Sequence, residues 1–379
     1  MVERIWRRFD WSLFFIMLIL IGVGCIMVYS SYEMAMPTRG KPLMENLVFR
    51  QGLFASIGMV IYFAVALVDY HVLQSLDRWI YLFIIVILGL TQIVGDTLGG
   101  AQRWLSFSFF DVQTSELSKV LLITVLAKYL AGDERNLESA GPFLLSALVL
   151  APPLLLIYKQ PDLGTTLLLL ATWLGMVYLA GVRWRHLVIL VIGGLVAAPI
   201  IWFQLEDYMR DRVIMFFLPD HDPSGASYNV TQALISIGSG GMWGKGLFQG
   251  TQSQLYFLRV RHTDFIFSVL AEELGFVGAL LLLLLFAFLI LHILHIAVNA
   301  QDDYGRLIAG GVACMLLVQT TVNLGMNANL LPVTGLTLPL VSYGGSSLLT
   351  ILLALGLTQS VAVHSTDTKP ATLQEKVRT

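Results

Sequence analysis

The sequence predicts an all-α polytopic membrane protein, a ten-helix transmembrane bundle with one long extracytoplasmic loop between helices 7 and 8. Three observations predict it. Of 379 residues, 56% are hydrophobic and 13% charged, with a mean hydropathy of +0.76, whereas a soluble domain carries about 25% charged residues. Ten apolar stretches approach the roughly 20 residues needed to cross about 30 Å of hydrocarbon. No alternating 10-residue strands or barrel turns appear, and in lipid every backbone amide needs an internal partner, so helices are the remaining solution.

The stretches run near 11–30, 51–69, 78–95, 116–131, 142–158, 163–182, 187–204, 263–297, 305–326 and 346–364. The first is 20 residues long and no small-x-small pattern closes it, so it reads as a helix rather than a signal peptide. The fourth is short and opens on Thr114-Ser115-Glu116-Leu117-Ser118-Lys119. The sixth follows a tight turn, Gln160-Pro161-Asp162-Leu163-Gly164-Thr165. The eighth, at 35 residues, is roughly 52 Å long at 1.5 Å per residue, and its strongly apolar part begins only at Leu274. Before it lies the long loop, 205–262. There, Asp207 to Phe217 and Tyr228 to Ile237 mix apolar and polar residues in a helical manner, with turn-rich Pro219 to Gly225 between them. Short helices along the outer membrane surface are the expectation. The segment Asn327 to Ser347 is rich in proline and glycine, which suggests re-entrant structure tolerated only against protein or a cavity. Residues 1–365 thus form one integral membrane domain, and the polar tail 366–379 is expected to be disordered.

Charge narrows the function. The balance of 25 acids against 23 bases, net −2, gives no reason to expect nucleic acid as a partner. Cys25 and Cys314, far apart in apolar stretches, exclude a disulfide framework and a thiolate metal cluster. Ten spans put both termini on one side. With the amino end inside, the cytoplasmic segments hold twelve lysines and arginines, the short outer segments six and the long loop five, which favours cytoplasmic termini. Outer bases that break this bias need another reason to be there, and neutralising an anionic ligand is one. No fixed-period repeat is present, so the inverted halves of many transporters are not seen.

Gly238-Ser239-Gly240-Gly241 and Gly244-Lys245-Gly246 invite comparison with phosphate loops, but Ser239 stands where a Walker motif needs glycine and Gly246 where it needs Ser or Thr. Plain turn geometry and a lysine approaching a phosphate both remain open. Glu116 and Lys119, three apart, share a helix face and can pair, either as a snorkelling interfacial pair or as part of a site. Asp162 can simply cap the helix that follows it. The most suggestive stretch is Arg259-Val260-Arg261-His262-Thr263-Asp264-Phe265, which closes the long loop. Asp264 there should stand about 15 Å above the apolar part of the eighth span, at the mouth of a wet cavity. Glu272 and Glu273 are rotated away from it, so the three acids do not form one cluster.

The ordered segments Asp10-Trp11, Met27-Val28-Tyr29-Ser30, Arg50-Gln51, Arg103-Trp104, Ser115-Glu116-x-x-Lys119, Gln160 to Thr165, Gly238 to Gly246, His262 to Phe267 and Pro339 to Ser347 resemble the SEDS family (shape, elongation, division and sporulation) of bacterial cell-wall polymerases, and its elongation-type members most. The resemblance covers nearly the whole chain. It departs where Thr114 and Arg259 stand in place of the family's usual prolines. It implies a peptidoglycan glycosyltransferase that polymerises lipid II into β-1,4 glycan strands with inversion, on the outer face of the cytoplasmic membrane. Asp264 would be general base on the acceptor hydroxyl and undecaprenyl pyrophosphate the leaving group.

Arg50, Arg103, Lys119, Arg212 and Lys245 are the candidates for offsetting the diphosphate charge, with a divalent cation (Mg2+ or Mn2+) as a further candidate and no organic cofactor. Glu116, Gln160, Asp162, His262, Thr263, Ser342 and Tyr343 complete the substrate-binding candidates. The implied partners are a class B penicillin-binding transpeptidase, the elongation machinery and membrane lipid. A lipid II flippase and a non-catalytic scaffold for the transpeptidase are the rival readings.

Overall fold

The computed structural model describes residues 6–33, 45–98, 101–107, 110–131, 140–218, 226–255, 257–258 and 260–365. The expected disordered tail (366–379), the turn at 219–225 and the departure at Arg259 lie outside the described residues.

The helices in chain order are α1 (Trp11–Val28, continued by a π turn, Tyr29–Glu33), α2 (Leu47–Leu67), the short α3 (His71–Ser75), α4 (Asp77–Val94), α5 (Thr114–Leu130), α6 (Ala140–Lys159), α7 (Leu163–Leu179), α8 (Trp184–Gln204), α9 (Asp207–Phe217), α10 (Ala226–Ser239), the short α11 (Thr251–Gln254), α12 (Ile266–Val298), α13 (Asp303–Asn327) and α14 (Gly345–His364). Every one of the ten apolar stretches has its long helix. Six described helices, α1, α2, α4, α12, α13 and α14, are long and apolar enough to cross a membrane. Side-chain caps set several starts: Asp10 accepts from Leu13 N, Asn46 from Val48 N and Phe49 N, Asp162 from Thr165 N and Asp302 from Gly305 N. Each satisfies amides that the first turn leaves without partners. The usual family proline is not needed at Thr114, where α5 begins and the Thr91 hydroxyl donates to the Thr114 hydroxyl at 3.0 Å.

The bundle is built around α5. Thirteen of its 17 residues are buried, because α4, α6, α7, α13 and α14 surround it. Protein rather than lipid is its solvent, which is why a helix with Glu116, Ser118, Lys119 and Thr124 on it is tolerated at this depth. By contrast 17% of the apolar window of α4 is buried, against 78% for α14, so α4 lies at the periphery. The most extensive pairing joins α14 to α2. Gly356 makes it close, since a Cβ there would stand 2.9 Å from the Tyr62 carbonyl oxygen. Small residues of this kind let helices approach where no hydrophobic effect drives them together.

Three features go beyond the helical pattern. Between α4 and α5 the chain forms an antiparallel sheet, β1 (Asp96–Leu98), β2 (Ala101–Phe107) and β3 (Phe110–Gln113), in that order, with Trp104 opposite Gln113 and Leu105 opposite Val112. Strands this short are invisible to a window that looks for membrane spans. Second, 328–344 carries no helix, and Leu336, Leu338, Leu340 and Val341 are buried, in keeping with the re-entrant expectation.

Third, the eighth span is not one continuous helix. Gly275 has φ 66° and ψ −165°, which breaks α12. The glycine-rich loop after α10 splices the break: Phe276 N donates to Gly241 O at 2.8 Å and Val277 N to Met242 O at 3.2 Å, while Glu272 O and Glu273 O accept from Lys245 N and Gly246 N, both at 3.0 Å. Backbone runs against backbone here, and a Cβ on Gly244 would stand 2.1 Å from Glu273 O. The loop's glycines are therefore explained by close approach and by φ 79° at Gly244. Close packing of this kind is what the plain-geometry reading of the motif requires.

Candidate functional site

At the end of the bundle where α2, α5, α7 and α14 begin, the elements enclose a cleft of about 370 Å³. The first turn of α2 contributes Arg50, whose guanidinium stands 6.0 Å from the centre of the Phe54 ring one turn on. The sheet contributes Arg103 and Trp104 from β2 and Asp111 and Gln113 from β3. Ser346, in the first turn of α14, ties the sheet down: its hydroxyl donates to Asp111 O at 2.9 Å and accepts from Gln113 N at 3.1 Å.

Asp162 caps α7 with one oxygen, accepting from Thr165 N at 3.1 Å, and with the other accepts from Ser115 Oγ at 2.9 Å and Gln113 Nε2 at 3.2 Å. Arg103 Nη1 lies 3.8 Å from it. The capping reading of Asp162 and its membership of the cleft are both correct, because the cap opens onto the cavity.

Asp264 also lines the cleft, from the turn that precedes α12. Its Oδ2 faces Gly335, where an added Cβ would stand 4.0 Å away. Burial pushes its carboxyl above the ordinary range, opposed by a hydrogen bond from Thr263 and by the charges of Arg212 and Arg103. Loss of hydration penalises the charged form and nearby cations favour it. The result is a carboxylate with raised basicity in a polar, accessible hollow.

Seven of the sequence candidates line this cleft: Arg50, Arg103, Glu116, Asp162, Thr263, Asp264 and Tyr343. The other six do not. Lys119 is wholly buried beneath the floor, its ammonium 2.8 Å from Glu116 and 3.4 Å from Gln319 Oε1, so it is neither a snorkelling surface pair nor a free clamp. Gln319 in turn donates to Thr337 O at 3.0 Å, which links the pair to the re-entrant segment. Lys245 lies outside the cleft, its ammonium 2.7 Å from Glu272 in the splice.

Gln160 is buried and donates to Leu88 O at 2.9 Å. Ser342 donates to Thr263 O at 2.5 Å and accepts from Leu338 N at 2.9 Å, so it positions the neighbour of Asp264 instead of facing a ligand. His262 is packed between Tyr32 and Tyr343, both rings 5.9 Å away. Burial, then the charge of Arg261, pushes its pKa down to about 4, so it is uncharged at neutral pH and offers no cation to a phosphate. Arg212 lines an adjacent apolar pocket and donates to Val333 O at 3.2 Å, yet its charge is felt at Asp264.

Sequence reasoning missed Asp111, Gln113, Phe54 and the hydroxyls of Thr337, Ser346 and Ser347. Asp111 carried a usable signal, an acid in an outer segment already rich in charges. The others had none, since they arrive through the sheet and the helix starts. No three carboxylate, imidazole or thiolate groups converge among the described residues. Asp162 accepts from three donors within the protein, with Arg103 3.8 Å away.

Comparison with known proteins agrees with this architecture. The family model FTSW_RODA_SPOVE, described as "Cell cycle protein", matches residues 10–367. The peptidoglycan glycosyltransferase MrdB of Escherichia coli (strain K12) is 42% identical over 314 residues, covering 82% of this chain and 84% of that protein. Stage V sporulation protein E of Bacillus subtilis (strain 168) is 36% identical over 362 residues, 94% of this chain and 97% of its own. Among solved structures, a chain of a peptidoglycan synthase complex, studied for the structural coordination of polymerization and crosslinking, superposes with a TM-score of 0.81 at 32% identity, over 95% of this chain and 99% of that one. The rod shape determining protein RodA of Thermus thermophilus does so with a TM-score of 0.68 at 32% identity, over 94% and 96%. With its ten long helices, its cleft and a match over nearly its whole length, this chain is an integral membrane protein and a member of the FtsW/RodA/SpoVE family, the SEDS family.

Proposed function

We propose that this chain is a peptidoglycan glycosyltransferase that polymerises lipid II during cell elongation, with Asp264 as general base. The observation that carries the reading is the Asp264 carboxylate on the cleft wall, made more basic by burial and standing in the field of two arginines. The names of the relatives supply the reaction class.

In this reading Asp264 takes the proton from the sugar hydroxyl of the acceptor as its oxygen attacks the donor's anomeric carbon. The bond from that carbon to the diphosphate breaks on the opposite side, which inverts the centre. The diphosphate leaves as an anion, so charge stabilisation can replace a protonating acid. Arg50 and Arg103 supply that stabilisation from the cleft wall, with Arg212 behind them.

The cleft opens to the outer face and both termini are cytoplasmic, as the lysine and arginine bias supports. A class B penicillin-binding transpeptidase is the proposed partner, on the likeness to a synthase complex that couples polymerization to crosslinking. Reconstitution with labelled lipid II tests the reading. The unaltered protein should make glycan strands and Asp264→Ala none. Translocation of the lipid without polymer by the unaltered protein would assign it to transport instead.

A further inference from the structure

We propose that Asn323 and Asn327, one turn apart on α13, are positioning residues that hold Asp264 outside the first turn of α12 and so aim its carboxylate into the cleft. The inference rests on Asp264 acting as the base.

Phe265 is the N-cap of α12 and its carbonyl accepts from Val269 N at 3.4 Å. Were Asp264 drawn in as one more helical residue, its carbonyl would accept from the amide four residues on, Ser268 N, and that bond is not made. The Asn327 carboxamide is inserted between the two groups: its Nδ2 donates to Asp264 O at 2.9 Å, and its Oδ1 accepts from Ser268 N at 3.3 Å and Ser268 Oγ at 2.7 Å. Ser268 N turns instead to Phe265 O at 3.1 Å.

Asn323 adds a second donor to the same carbonyl at 3.1 Å and donates to Leu336 O at 2.7 Å. It thereby ties the base to the re-entrant segment beside Gly335. Asn327 Nδ2 also reaches Asn323 O at 2.9 Å, so the two amides act as one unit. Both side chains are fully buried and neither lines the cleft. Serine or aspartate could not reproduce the arrangement, because only a carboxamide donates and accepts across that span.

The consequence is kinetic. A base displaced by about 1 Å loses on the order of 100-fold in rate while substrate binding is untouched. Asn327→Asp keeps the acceptor for Ser268 and loses the donor to Asp264. Asn327→Leu loses both, and Ser268→Ala loosens the amide without removing it. Polymerisation of labelled lipid II by the purified full chain should show kcat reduced about 10- to 100-fold in Asn327→Leu and Asn327→Asp, and less in Ser268→Ala, with KM within about 2-fold.

Ser146→Ala, which removes a buried hydroxyl bonded to Trp173 Nε1 far from the cleft, is the control for general loosening and should keep its kcat. Should the Asn327 variants not fold, Ser268→Ala carries the test. Unchanged kcat in Asn327→Asp, or a rise in KM equal to the loss in activity, overturns the positioning role. Polymer from Asp264→Asn would overturn the base itself, a separate failure that leaves the hydrogen bonds around its carbonyl unexplained.

Discussion

Asp264 and Glu272 stand eight residues apart at the same end of α12, carry the same functional group, and have opposite circumstances. Glu272 is fully buried, and its Oε1 accepts from Lys245 Nζ at 2.7 Å, Thr251 Oγ1 at 3.0 Å and Gln252 N at 3.1 Å. Neighbouring Glu273 accepts from Phe248 N and from the Ser30 hydroxyl. Asp264 is bonded through its carboxylate to Thr263, and its backbone carbonyl takes the asparagine donors instead. A carboxylate that its neighbours hold through three donors on one oxygen fixes geometry; one they hold by its main chain stays available to a reactant. Two acids eight residues apart therefore do different work, because one faces a spliced loop and the other a hollow.

The sharpest way to break this contrast is to neutralise each acid. Asp264→Asn should lower polymerisation by about 100- to 10,000-fold, the usual contribution of a positioned base. Its Tm should not fall, since an acid whose folded pKa is raised costs stability at every pH above its ordinary value. Glu272→Ala should do the reverse at first, leaving Lys245 without its partner and lowering stability by about 3 kcal/mol in a thermal melt. Removing both charges as Glu272→Gln with Lys245→Met should recover much of it. Equal losses of Tm in Asp264→Asn and Glu272→Ala would erase the distinction.

A smaller effect tests the electrostatics of the open site. Arg103 holds the Asp264 carboxyl below where burial alone would put it. Activity requires the ionised base, so the rate should climb with pH through that raised pKa. Arg103→Ala should move this acid limb to higher pH and cut kcat about tenfold. A pH profile that superposes on that of the unaltered enzyme would remove Arg103 from the site.

The smallest effect lies among saturated groups at the far end of the bundle. There the ring nitrogens of His71 lie 2.7 Å from Asp69 and 2.8 Å from Asp302, and Tyr70 donates to Asp302 at 2.9 Å. Burial works against the imidazolium, but the bonds to Asp69 and Asp302 outweigh it and raise the His71 pKa. Its stabilisation is present in full below the unfolded imidazole value, near 6.5, and is lost as pH rises through the raised folded value. Melting temperature should drift down across that window, and His71→Phe should flatten the drift with kcat unchanged.

The residues legible in the sequence share a property. Arg50, Arg103, Glu116, Asp162 and Asp264 are charges placed next to hydrocarbon, and a charge there announces itself without any structure. Lys119 and Lys245 announced themselves in the same way and are instead paired within the protein, since hydropathy registers that a charge exists but not who answers it. Asn323, Asn327 and Ser346 were silent because polar uncharged residues are common in buried helices and helix starts.

What the sequence determined alone is what depends on local composition: a helix at each of ten apolar stretches, their order, the non-helical segment before α14 and a family resemblance in ordered motifs. Hydrophobic periodicity is a near-neighbour quantity, and water and lipid read it the same way in any fold. The tertiary structure decided the rest: the sheet that brings Asp111 to the cleft, the glycine loop that mends α12, and the asparagine pair that keeps Asp264 out of it. Those depend on partners far apart in the chain, Asn327 lying 63 residues beyond Asp264, and no window along the sequence contains both sides of such a bond.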